Sequence, residues 1–215
     1  MSPKIQGNFI VIDGPDGAGK STVIKGVQSA LLAEGLPVVL TREPGGSPYA
    51  EKVRDVILSD DAEIAEPETM LLLFMAARLE HVAKTIRPAL ARGKIVLCDR
   101  FDSTTYAYQI VAEERPDLAP RFDALRFDYR TTLPNYILLD VSPEMGRMRL
   151  KDRAEKLNHF DKRSSEWHAR ARQGFQDFLL EVCPEGTYDV VDAEQAREVV
   201  LLDTLAAVRK VLAQN

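Results

Sequence analysis

The residues Gly14-Pro15-Asp16-Gly17-Ala18-Gly19-Lys20-Ser21-Thr22 have the types and spacing of a phosphate-binding loop, GxxxxGK[ST]. Glycine tolerates positive φ and lets successive backbone N–H groups curl around phosphate oxygens. Lys20 supplies a mobile positive charge for the β and γ phosphates of a nucleoside triphosphate, and the Ser21 hydroxyl is placed to ligate Mg2+. The loop follows Phe9-Ile10-Val11-Ile12, an apolar run that reads as a buried strand. It opens a helical pattern through Val23, Ile24, Val27, Leu31 and Leu32, whose N-terminus directs partial positive charge at the same oxygens. A glycine-rich turn merely joining a strand to a helix is the alternative, disfavoured because every fixed position is present in the right context. Phosphate-loop folds host motors, switches, transporters and kinases, so the loop alone does not name a reaction.

Two more clusters sit where ligands bind in open α/β folds, at the carboxyl ends of apolar runs. Thr41-Arg42-Glu43-Pro44-Gly45-Gly46 follows Val38-Val39-Leu40, and Asp99-Arg100 follows Ile95-Val96-Leu97-Cys98. A helix opened by Ser142 and Pro143 adds Arg147, Arg149, Lys151 and Arg153. Gathered in one crevice, these groups carry more positive charge than one triphosphate needs. Transfer between two phosphate groups fits, because donor and acceptor oxygens repel each other and cations must offset that repulsion. A GTPase is disfavoured, since no NKxD signature is present.

The elements that must position these groups follow from apolar pattern and punctuation. Tyr136 to Leu139 and Tyr188 to Val191 read as the fourth and fifth strands, and continuous apolar runs of this kind suit a parallel sheet covered on both faces. Strands alternating with helices give a doubly wound, three-layer α/β domain. Helices are expected from about Pro48 to Leu58, from Pro67 to Gly93 with a bend or break at Pro88, over Asp102 to Glu114, from about Glu166 to Val182, and at the C-terminus. The acidic stretch Asp60 to Glu66 reads as a solvated loop and Asn158 to Ser165 as a flexible segment. The whole chain, 1–215, is expected to be one domain containing a short mobile lid at about 149–163.

With 215 residues and 45% apolar content the chain can bury a full core. The net charge of -5 argues against a general nucleic-acid or membrane-surface binder. Two cysteines, Cys98 and Cys183, make a reduced, cytoplasmic setting the default. A first strand at Phe9 leaves no room for a signal peptide, and no apolar stretch has bilayer-spanning length.

Over essentially its whole length the sequence resembles the thymidylate kinases. The matching pieces are GPDGAGKST at Gly14, TREPGG at Thr41, LLLFMAARLEH with Phe74 and Arg78, CDRFDSTTYAYQ from Cys98, SPEMGR from Ser142 and VDA at Val191. The resemblance implies a P-loop NTPase fold with a five-stranded parallel sheet, and transfer of the γ-phosphoryl of MgATP to dTMP on the way to dTTP. It also implies a homodimer, for which the apolar stretch from Met70 to Leu90 could serve unless it is interior. Phe74 resembles the residue that stacks on thymine, although periodicity alone favours core packing, and Arg78 the residue that donates to thymine O4. Thr105 and Gln109, with neighbouring Thr104, resemble polar residues at the base and substrate, and Tyr108 the aromatic that crowds the sugar 2′ position. Asp16 resembles the carboxylate that meets the 3′ hydroxyl. Arg42, Arg54 and Arg100 resemble acceptor-phosphate ligands, with Glu43 and Pro44 holding that network. Asp99 resembles the carboxylate that orders Mg2+ beside Ser21; without the resemblance Asp140, which also ends a strand, competes. Position 17 is Gly where one subgroup places an arginine, so the catalytic cation is expected from the lid, with Arg153 first and Arg149 and Lys151 in support.

Three features depart from the family pattern. Ile110-Val111-Ala112 replaces a glycine-rich continuation, so the helix should simply run on; Phe101 replaces Tyr or His; and His159 stands where arginine is common. A nucleoside monophosphate kinase with altered or broadened base preference is the nearest rival reading. A nucleotide-binding module without turnover is the alternative outside enzymes.

Overall fold

The computed structural model describes residues 7–151 and 158–214. Strands β1 (Phe9–Asp13), β2 (Val38–Arg42), β3 (Ile95–Asp99), β4 (Asn135–Asp140) and β5 (Tyr188–Asp192) form one sheet, all parallel, in the order β2-β3-β1-β4-β5. The helices are α1 (Lys20–Ala33), α2 (Pro48–Ile57), α3 (Pro67–His81), α4 (Arg87–Ala91), α5 (Asp102–Thr105), α6 (Ala119–Arg126), α7 (Pro143–Lys151), α8 (Ser165–Glu181) and α9 (Arg197–Ala213).

Because successive strand side chains point to opposite faces, each apolar run feeds two cores. Ile10, Ile12, Leu97, Ile137 and Leu139 pack with Val27 and Leu31 of α1 and Val208 of α9. Phe9, Val11, Val96, Cys98 and Tyr136 pack on the other face with Leu71 and Phe74 of α3 and Phe175 and Phe178 of α8. Central β1 lies between β3 and β4, so the connections leave it in opposite directions and open a crevice at the carboxyl ends. The phosphate loop, Glu43 and Arg100 all follow directly from strands bordering that crevice.

Several expectations need adjustment. Asp60–Ile64 forms a 3-10 turn where a plain loop was expected. Pro88 does not split its helix: α3 passes through one π-helical turn, Val82–Ile86, into α4. Pro88 has no N–H to give the Lys84 carbonyl, and the wider turn takes up the mismatch just before it. The helix from Asp102 does run on, but as a π-helix over Tyr106–Ala112. Here α8 comes so close that a Cβ on Gly174 would stand 2.7 Å from the Ala107 Cα, and this packing fixes which way Tyr108 and Gln109 face. Asn158 to Ser165, expected to be flexible, is from Asn158 onward a hydrogen-bonded turn, with the Asn158 Oδ1 accepting from Phe160 and Asp161 N–H groups. His159 and Phe160 are buried beneath it.

Candidate active site

At the phosphate loop Gly17 has φ 82, and a Cβ there would lie 2.3 Å from the Gly146 carbonyl oxygen of α7. That contact and the left-handed backbone both exclude a side chain, which is the physical reason for glycine at this position. The Lys20 ammonium is buried and donates to the carbonyls of Gly14 at 2.9 Å and Pro15 at 2.6 Å. Burial, then the nearby Arg100 charge, push Lys20 down to about 8. Above that pH the free protein loses the charge that the loop motif would set against a triphosphate, whereas bound phosphates would hold the proton. The KM for MgATP is therefore expected to rise above about pH 8, by at most about tenfold per pH unit, with kcat flat over the same range. A pH series of steady-state kinetics checks this; a flat KM to pH 9.5, to choose roughly one and a half units beyond the midpoint, would contradict it.

Arg100 (φ 70) is the central cation. One Nη donates to Asp13 at 3.3 Å, to the Gly14 carbonyl at 3.0 Å and to the Thr104 hydroxyl at 3.2 Å, and the other pairs with Asp16. Tyr108 donates its hydroxyl to Asp16 at 2.7 Å. Burial alone would raise the Asp16 pKa; Arg100, Lys20 and the Tyr108 hydrogen bond outweigh it and hold the carboxyl below its usual value. Asp13 is the buried hub beneath, accepting from the Gly14 N–H at 2.8 Å, the Ser103 hydroxyl at 2.5 Å and the Thr104 hydroxyl at 2.8 Å. Thr104, expected at the substrate, thus has its one proton committed to Asp13.

On the β2 side, Arg42 pairs with Glu51 at 3.1 Å, and Glu51 accepts the Gly46 N–H at 2.8 Å. Arg54 donates to the Pro44 carbonyl at 2.7 Å. Burial and neighbouring Arg42 depress the Arg54 pKa. Arg42 and Arg100 thus lie close enough to Arg54, and Arg100 to Lys20, for their charges to lower the basicity of Arg54 and Lys20, a repulsion that phosphate oxygens would offset.

Deeper in the same crevice Arg78 is 1% exposed. Its Nε donates to Glu43 at 2.7 Å, one Nη to Thr105 at 3.0 Å and the other to the Met75 sulfur at 3.1 Å, and the guanidinium lies 4.9 Å from the Phe101 ring centroid. Burial opposes its charge and Glu43 sustains it. Gln109, next to Tyr108 and one turn beyond Thr105, has its Oε1 buried with no hydrogen-bond partner. The Phe74 ring is buried, 6.2 Å from that of Phe160, which lies 5.4 Å from the Tyr108 ring.

At the opposite end Arg149 reaches back from α7 to the Ala193 carbonyl at 2.8 Å and the Gly17 carbonyl at 3.5 Å. Arg147 is held by Ser165, and Lys151 is exposed at the end of α7. Arg153 lies outside the described residues, as does the middle of the expected lid. Ser21 Oγ and Asp99 Oδ2 are 3.2 Å apart. Asp140 is engaged elsewhere, gripped by Arg172 through two bonds of 2.7 Å.

The family model described as thymidylate kinase matches residues 12–202. The chain is 37% identical over 211 residues to the thymidylate kinase of Bacillus velezensis, covering 97% of this chain and 98% of that one. It is 38% identical to that of Chlamydia caviae, with 93% and 96% covered, and 43% identical to that of Pseudomonas fluorescens, with 79% and 80% covered. The chain belongs to the thymidylate kinase family.

Within this thymidylate kinase family member, adjacent Ser21 and Asp99 offer two hard oxygen donors. That pair suits Mg2+, which takes one or two protein oxygens and completes its shell with phosphates and water. Among the described residues no group of three or more His, Cys, Asp or Glu could hold a metal. Phe101, departing from the family's usual Tyr or His, is fully buried between Phe9 and Tyr129, where a polar ring would need a partner. His159 turns its Nε2 to the Ile57 carbonyl at 3.0 Å.

Sequence reasoning missed Asp13, Glu51 and His81. Asp13 immediately precedes Gly14, and a carboxylate there was a usable signal. His81 lies one helical turn beyond Arg78, a spacing that places both on one face. Glu51 carried no comparable signal.

Proposed function

We propose that this chain is a dTMP kinase, transferring the γ-phosphoryl of MgATP to dTMP to give dTDP and ADP, in the formation of dTTP. The observation that carries the reading is buried Arg78, which donates to Thr105, together with Gln109 Oε1, one turn beyond Thr105, a buried acceptor without a partner. Thymine presents an O4 acceptor next to an N3–H donor, the complement of that pair. Cytosine presents an amino donor and a bare N3, which face it with two mismatches. A buried polar group left unpaired is costly, so the wrong edge is rejected more strongly than the right one is favoured.

In this reading the acceptor phosphate lies among Arg42, Arg54 and Arg100, and Lys20 exchanges its two backbone carbonyls for β and γ phosphate oxygens. Asp16, braced by Arg100 and Tyr108, orients the sugar 3′ hydroxyl, while Tyr108 excludes a 2′ hydroxyl. An acceptor-phosphate oxygen attacks the γ phosphorus and ADP departs in line. Mg2+ held at Ser21 and Asp99 would supply charge neutralisation between the β and γ phosphates. Arg149 supports ATP from α7, and Arg153 is the proposed lid cation; slower single-turnover transfer by Arg153→Ala at unchanged dTMP affinity is its test. Thr104 serves through Asp13.

A coupled assay with dTMP, dUMP and dCMP tests the base reading. Turnover of dTMP and dUMP is expected, with kcat/KM for dCMP lower by on the order of a thousandfold or more. Preference for cytosine or a purine would refute it, and absence of ADP under MgATP and dTMP would leave only a nucleotide-binding module.

The reading extends to one catalytic domain working as a homodimer in a reduced, cytoplasmic setting, without nucleic-acid or membrane partners. Cys98 and Cys183 are unpaired, as a reduced setting requires. Most of Met70 to Leu90 is interior to the single chain; Leu72 on α3 is exposed and is the apolar side chain left there for a second copy. Sedimentation equilibrium distinguishes one copy from two.

A further inference from the structure

His81 is fully buried at the end of α3, and both ring nitrogens are engaged. Its Nδ1 lies 2.9 Å from Glu43 Oε1, and its Nε2 lies 2.7 Å from the Thr41 hydroxyl. Glu43 uses its other oxygen, Oε2, for Arg78 Nε at 2.7 Å, and Arg78 continues to Thr105 at 3.0 Å. These contacts make one unbroken chain of polar groups, Thr41–His81–Glu43–Arg78–Thr105, buried except for half-buried Thr41, linking the end of β2 and the loop after it to the helix after β3. Glu43 is further tied by its own N–H to the Asp99 carbonyl at 2.9 Å, and a Cβ on Gly46 would lie 2.3 Å from His81 Nε2. Little room is left for the imidazole to turn.

A carboxylate only accepts, so the Nδ1 must carry the proton it gives to Glu43, and in the neutral ring Nε2 then accepts from the Thr41 hydroxyl. Held from one side only, the Glu43 carboxylate would be free to rotate about its last bond, and Arg78 Nε would follow it. Held from both sides, it has one orientation, and the guanidinium it grips presents its remaining N–H groups in a fixed direction.

We infer that His81 is a positioning residue for base recognition: by fixing Glu43 it aims Arg78 at the acceptor base, and it joins the end of β2, which carries Arg42, to that choice. The inference rests on the proposed reading of Arg78. It assigns His81 no contact with substrate and no part in the transfer itself. A loss at His81 should therefore be felt as weaker and less selective binding of the nucleoside monophosphate, with ATP binding untouched.

Two conservative variants separate this from simple support of the core. His81→Asn places an amide N–H near the Nδ1 position and keeps the bond to Glu43. His81→Gln carries its amide further, toward Thr41, and leaves Glu43 Oε1 without its donor. For His81→Gln, the KM for dTMP is expected to rise about tenfold and the dTMP over dCMP preference to fall by a similar factor, with the KM for MgATP unchanged. His81→Asn should stay within about threefold of the parent on all three measures. Equal behaviour of the two variants, whether both intact or both impaired, overturns the inference, and so does a matching rise in the KM for MgATP. Arg78→Met, run alongside, tells the two levels apart. If it leaves base preference unchanged, the reading of Arg78 fails and His81 falls with it; if it abolishes the preference while His81→Gln does not, only the role of His81 fails.

Discussion

Lys20→Met is expected to lower kcat by on the order of a thousandfold or more while leaving dTMP binding within about threefold and the fold at least as stable as the parent. In the proposed reading, the loss of rate follows from removing the Lys20 ammonium that meets the phosphates within a buried loop. The gain or constancy in stability follows from the free protein, where the amine is buried and pushed down to about 8. A lysine whose folded pKa is depressed binds its proton less well folded than unfolded. Its contribution to stability is therefore unfavourable at neutral pH, by roughly 3 kcal/mol, and is relieved as pH rises from about 8 toward the ordinary lysine value. Methionine keeps the apolar stem without the charge. Thermal melts and single-turnover transfer on the same preparation test both halves. A rate within tenfold of the parent would sink the catalytic role, as would a lowered melting temperature that accounts for the lost activity.

Arg100→Met should cost both stability and activity. Arg100 pairs with Asp13 and Asp16 at the base of the loop, and without it the buried Asp13 carboxylate and the half-buried Asp16 carboxylate face no guanidinium. Removing one member of a buried pair costs about 3–5 kcal/mol, most of it from the charge left behind. The pH dependence identifies the cause. In the parent, Asp16 titrates below its ordinary value of 3.8, so its contribution is present above that pH and is lost as pH falls through the folded value. In the variant, burial is opposed by Lys20, Tyr108 and His168 but no longer by Arg100, the carboxyl rises, and the penalty is largest at neutral pH and shrinks on acidification. Urea unfolding at pH 7 and at about pH 4 measures this difference. The acceptor phosphate would lose a ligand as well, and kcat/KM for dTMP should fall by at least a hundredfold, an estimate in line with the loss of one buried charge-stabilising donor. A deficit identical at both pH values would sink the electrostatic explanation.

Local features were readable without coordinates. The phosphate loop declares itself because glycine, lysine and a hydroxyl are needed at fixed spacing along one continuous stretch. The strands from Phe9, Val38, Ile95, Tyr136 and Tyr188 show as apolar runs because a parallel sheet covered on both faces leaves no polar side to alternate with. Arg42 and Arg100 could be placed at the crevice for a related reason: topology brings strand carboxyl ends together there, so a charge at the end of a strand or just past it is already positioned.

Contacts between distant segments settled the remainder. Asp99 and Asp140 are equivalent on paper, each ending a strand, yet Arg172 from α8 occupies Asp140 and Ser21 lies against Asp99. Thr104 and Thr105 are neighbours of one type, but only packing sends one hydroxyl down to Asp13 and leaves the other facing Arg78. The π-helical turns, the burial of Phe160 and the Thr41–His81–Glu43–Arg78 relay all depend on surfaces that meet only once the chain has folded. Residue types and their order sufficed for the anion-binding chemistry and the order of elements, because both are written in short-range spacing. Partner choice among the buried charges was left to the tertiary structure, since one carboxylate is told from another only by what folds against it.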